Sequence, residues 1–73
     1  MDEIQLLSQL GSRIKKIRIE KNMKQNELAN KCEFEKASLS RIESGQTNLT
    51  LRSLYKICKA LDIYITDLFM DPF

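Results

Sequence analysis

The sequence of 73 residues has no histidine, one proline, two glycines and two cysteines. Each shortage excludes something. Without histidine, a zinc site would rest on two thiolates and carboxylates, so no metal or cofactor is expected. Neither cysteine has an evident base beside it, and no glycine-rich loop is shaped for phosphate, so the chain does not read as an enzyme. No apolar run is long enough to span a bilayer and no secretory signal is evident. A cytoplasmic protein with reduced thiols is therefore expected, with no membrane contact and no small-molecule ligand. Cys32 and Cys58 fall on the apolar sides of their segments and read as small buried hydrophobes.

Helix breakers are nearly absent, because the glycines stand at 11 and 45 and the proline at 72. Period-two β alternation, repeats and linkers are also missing. The chain reads as all-α and as a single domain over 1–73. A domain this short buries only about 60% of its unfolded surface, so its core is small.

What the sequence does have is segregated charge. All 12 Lys and Arg lie between Arg13 and Lys59, against five acids there, giving that segment +7. The two ends carry Asp2, Glu3, Asp62, Asp67 and Asp71, or −5. A basic middle between acidic ends suits a polyanion, although a solvated basic surface would look the same.

Apolar spacing places the helices. Leu7, Leu10, Ile14 and Ile17 make one stripe over a first helix at about 3–21, with Gly11 marking a bend or a late start. Asn22 suits its left-handed exit. A second helix fits 25–32, with Leu28, Ala29 and Cys32 inward. A third fits 36–44, with Leu39 and Ile42 inward and Gly45 as its stop. Thr50 caps a fourth, which carries Leu51, Leu54, Ile57, Cys58 and Leu61. Thr66 caps a last short turn over 67–70. Five short amphipathic helices around one core are the expected architecture.

Segments 25–32 and 36–44, joined by a short turn, have the size of a helix-turn-helix whose second helix enters the major groove. With Leu39 and Ile42 inward, Lys36, Ala37, Ser38, Ser40 and Arg41 face outward. Cations suit guanine edges, hydroxyls pair with most bases or phosphate, and a methyl can touch thymine. An ordinary polar helix face has the same look.

Three stretches carry a resemblance: LGSRIKKIRIEKNMKQNELA (10–29), ASLSRIESGQTNLTL (37–51) and LYKICKALDIYITDLF (54–69). In order and spacing they resemble the Cro/C1-type, or XRE, family of helix-turn-helix DNA-binding proteins. Gln25 with Glu27-Leu28-Ala29, then SRIESG, are the most specific elements. The resemblance implies a compact five-helix, lambda-repressor-like domain whose motif spans about 25–44. It implies a homodimer reading a palindromic operator in double-stranded DNA. It implies DNA contacts at Gln25, Lys36, Ala37, Ser38, Ser40, Arg41, Thr47 and Asn48, and a structural salt bridge between Arg18 and Glu43.

Three positions depart from the family pattern. Lys24 and Glu35 stand where Ser or Thr usually caps a helix, and Glu33 stands where the turn often has glycine. Glu35 could favour the helix N-terminus, accept from a cytosine amino group, or repel phosphate. In the C-terminal 62–73, Ile63, Tyr64, Ile65, Phe69 and Phe73 exceed what one short helix buries, so they form a dimer interface or complete the monomer core. The leading expectation is a small sequence-specific transcriptional regulator of the type of phage repressors and restriction–modification controllers. An antitoxin that binds a toxin through the C-terminal apolar patch is the alternative.

Overall fold

The computed structural model describes residues 1–69. Four α-helices follow in order: α1 (Glu3–Glu20), α2 (Gln25–Cys32), α3 (Lys36–Glu43) and α4 (Leu51–Leu61). Then comes a 3-10 turn, Ile65–Leu68. The expectation of five helices is thereby corrected. The fold is all-α, but its fifth element is one tight turn. A segment this short closes i→i+3 bonds more easily than it nucleates an α-helix. The turn also starts earlier than Thr66: Asp67 Oδ2 accepts from the Tyr64 N–H at 2.8 Å. Met70, expected to end it, lies outside the described residues.

All four helices end the same way. A left-handed residue follows each, and two backbone N–H groups turn back onto the last carbonyls. Glycine serves only once, at Gly45 (φ 76); Asn22 (φ 57), Glu33 (φ 60) and Asp62 (φ 57) serve the other three. At the exit of α2, Glu33 N–H donates to Asn30 O and Phe34 N–H to Ala29 O. The two satisfied carbonyls hold a residue type that would otherwise avoid this conformation.

Helix starts are also handled individually. Asp2 Oδ1 accepts from the Gln5 N–H, and Gln5 Oε1 from the Asp2 N–H, a reciprocal cap for α1. Thr50 caps α4 by accepting from the Ser53 N–H at 3.0 Å. At α2 the side chain of Lys24 cannot accept, and Glu27 Oε1 takes the Lys24 N–H instead at 3.0 Å.

Gly11 does not delay α1, which starts at Glu3. The helix runs through it because α3 crosses there. A Cβ at Gly11 would strike the Ile42 carbonyl oxygen and stand 2.7 Å from the Glu43 carbonyl oxygen. Glycine costs a helix interior about 1 kcal/mol, but here it permits a close helix contact in the motif's support.

The core gathers Ile14 from α1, Leu28 from α2, Leu39 from α3, Ile57 and Leu61 from α4, and Leu68 from the 3-10 turn. Helices of eight residues are marginal alone, so this shared cluster is what keeps them folded. Cys32 and Cys58 are buried free thiols. Burial pushes both thiols up; the Asp67 charge adds to this at Cys58, while Lys56 partly opposes it at Cys32. Both are held as neutral, weakly reactive thiols. Of the apolar residues of α4, Leu54, Ile57, Cys58 and Leu61 are buried, whereas Leu51 is 74% exposed. The apolar stripe of α4 runs one turn past the edge of the core.

Candidate nucleic-acid interface

α2 and α3 are joined through residues 33–35 and set by a buried charge network. Arg18 and Glu43 are only 7% and 5% exposed. Arg18 Nε donates to Glu43 Oε2 at 2.7 Å and Nη2 to Oε1 at 3.1 Å, a bidentate pair. Arg18 Nη1 donates to the Met23 carbonyl at 2.8 Å. Gln25 Nε2 donates to the same Glu43 Oε1 at 3.0 Å. One carboxylate thus ties the end of α1, the start of α2 and the end of α3 together.

Gln25 is accordingly half-buried, with its amide nitrogen turned inward to Glu43. That placement differs from a side chain held out toward DNA. The sequence carried no signal for it, because residues 25 and 43 meet only when α2 folds over the end of α3.

On α3, Leu39, Ile42 and Glu43 face the protein. Lys36, Ala37, Ser40 and Arg41 are exposed and Ser38 is half-buried. The exposed set forms one continuous strip with two cations, a hydroxyl and a methyl. Beyond it, Ser38 and Arg41 share a cleft of about 280 Å³ with Thr47, Asn48 and Ser53. Donors from α3, the following loop and the first turn of α4 therefore converge on one hollow. Ser53 was not among the expected contacts. Its signal was the three-residue spacing from the cap Thr50, with which it shares a hydroxyl–hydroxyl bond of 3.0 Å.

The turn that feeds α3 is anchored by Phe34, half-buried against the core, with the Lys56 ammonium 5.9 Å above its ring centroid. Lys56 of α4 is thus engaged with the turn.

On another face, Leu51, Tyr55, Cys58, Ile63, Tyr64 and Ile65 line an apolar groove of about 730 Å³. Tyr64 and Ile65 are exposed and Ile63 is half-buried against the core. Phe69 is exposed outside the groove lining, and Phe73 lies outside the described residues. The groove also draws on Leu51 and Tyr55, whose α4 positions the sequence reading had not assigned to it. Among the described residues, no cluster of His, Cys, Asp and Glu could hold a metal, and no helix is long and apolar enough to cross a membrane.

The helix-turn-helix family model matches residues 14–68. Control protein C.BamHI of Bacillus amyloliquefaciens is 39% identical over 59 residues, covering 80% of this chain and 73% of the relative. Control protein C.MunI of a Mycoplasma species is 33% identical over 72 residues, covering 97% of this chain and 95% of the relative. Among solved structures, the restriction-modification controller protein C.Esp1396I, a tetramer in complex with its natural 35 base-pair operator, superposes with a TM-score of 0.82 at 42% identity, covering 89% of this chain and 87% of that one. Matched over the residues that build α2, α3 and their support, and similar over nearly its whole length to a control protein, the chain belongs to the helix-turn-helix family of Cro/C1 type.

Proposed function

We propose that this chain is a sequence-specific transcriptional regulator, of the restriction–modification controller kind, that binds a palindromic operator in double-stranded DNA as a homodimer. The observation that carries the reading is α3 itself. One side is locked by Leu39, Ile42 and Glu43, and the other offers Lys36, Ala37, Ser40 and Arg41 with nothing over them. In this reading the strip meets base edges in the major groove. In the cleft beside the strip, Ser38, Thr47, Asn48 and Ser53 take a backbone phosphate, leaving Arg41 at its edge for the bases, and the N-terminus of α4 favours the negative charge. Gln25 belongs to the framework through Glu43, and any DNA contact it makes uses what that bond leaves over. The operator complex of the similar controller C.Esp1396I supports operator DNA as the partner. Similarity to control proteins favours it over the antitoxin alternative.

The apolar groove beside α4 is the dimer surface in this proposal, and its location away from the α3 strip leaves both copies free to read. The protein works in the cytoplasm, where its two free thiols stay reduced.

Selection of bound sites from random duplex DNA tests the function directly. The expected result is a two-fold symmetric motif. Arg41→Ala should then relax one position of each half-site, at a cost of about 1–3 kcal/mol. Retention on DNA that is independent of salt, or selection that yields no motif, would overturn the proposal.

A further inference from the structure

Glu35 stands at the entry to α3, in the position of its N-cap, and its side chain makes no cap hydrogen bond. Its backbone carbonyl accepts from the Ser38 and Leu39 N–H groups at 3.0 and 3.2 Å, so the Ser38 N–H, one of those a cap side chain would take, is already bonded through the backbone. The entry angle is fixed from the other side, because Phe34 and Leu39, at the two staple positions, both join the apolar cluster. Glu35 is exposed, directly ahead of exposed Lys36. A Ser or Thr in this place would give its oxygen to the helix; the longer carboxylate keeps both of its oxygens for something else.

The chemistry narrows what that is. A carboxylate only accepts. In the major groove, guanine and thymine present acceptors, and adenine presents an acceptor beside its amino group. Cytosine alone presents an amino donor with no acceptor next to it. Phosphates, being anionic, repel Glu35. On the proposal that α3 reads the major groove, its early residues face base edges, and the carboxylate is satisfied there by cytosine. We infer that Glu35 is a specificity-determining residue, accepting from the N4 amino group of a cytosine next to the base read by Lys36 and rejecting guanine and thymine at that position.

The test selects sites from random duplex DNA with the full chain and with Glu35→Ala and Glu35→Gln, with thermal melting as a folding control. The wild type should select cytosine at one position of each half-site. Glu35→Ala should lower discrimination at that position roughly tenfold and leave the others unchanged. Glu35→Gln should move the preference toward adenine, which offers glutamine a donor and an acceptor together. Identical motifs from all three proteins would overturn the inference. So would a uniform gain in affinity for every sequence, which is the signature of relieved phosphate repulsion. A wild type that selects no motif would instead remove the DNA-reading function on which the inference rests.

Discussion

The Glu43 carboxylate receives three hydrogen bonds from two other helices. Its solvent shell is gone, and the Arg18 guanidinium replaces it. Such pairs add little net stability compared with apolar residues of the same shape, but removing one partner leaves the other charge buried and alone. Glu43→Ala should therefore cost about 3–5 kcal/mol, a large part of the stability of so small a domain. Thermal denaturation followed by circular dichroism checks this, and an unchanged melting temperature would show that the pair is dispensable. The resemblance named Arg18 and Glu43 as partners from their positions. It did not name the Met23 carbonyl, which the turn after α1 brings to Arg18, or Gln25, whose bond to Glu43 depends on how α2 lies against the end of α3.

At the scale of the element, the crossing of α1 over α3 decides how well the reading helix is held. At Gly11 the α3 backbone comes so near that a Cβ would meet the Ile42 and Glu43 carbonyls. On helix propensity alone, Gly11→Ala would stabilise α1 by about 1 kcal/mol. Here the added Cβ meets backbone carbonyls of α3, which cannot swing aside as a side chain would. The expected net effect is a loss of about 1–3 kcal/mol, read by urea denaturation. A gain in stability would mean that the two helices can separate freely. The helix spans themselves were readable from apolar spacing and caps. The C-terminal element was not: the same Thr66 and Asp67 that suggested a helix start over 67–70 instead close a 3-10 turn at Ile65–Leu68, where packing of Leu68 decides the register.

At the scale of the molecule, the Cα long axis is 31 Å. One turn of DNA is about 34 Å, so a palindromic operator with half-sites one turn apart calls for two copies. The groove at Leu51, Tyr55, Ile63, Tyr64 and Ile65 is the proposed seam. Tyr64 is 81% exposed and occupies the N-cap of the 3-10 turn. Aspartate is a favoured N-cap, so Tyr64→Asp should keep the fold while removing a large aromatic surface from the seam and leaving a carboxylate whose desolvation opposes docking. Sedimentation should then show a monomer where the wild type is a dimer, and operator affinity should fall with it. A variant that stays dimeric would move the seam elsewhere.

The sequence by itself determined the helical class, the four α-helices, the inward Leu39 and Ile42 of α3 and the outward Lys36, Ala37, Ser40 and Arg41; Ser38, expected outward, is half-buried. These follow from local periodicity, and a helix of fixed pitch leaves little freedom once its apolar side is known. Family resemblance supplied the salt bridge and the positions of DNA contact as expectations. Only the tertiary structure decided which partner each shared. It turned Gln25 inward, carried Leu51 past the edge of the core, explained Gly11 by a neighbouring backbone, and left the Glu35 carboxylate without a cap to make. Each of these depends on which distant residue a side chain meets, and no local period encodes that.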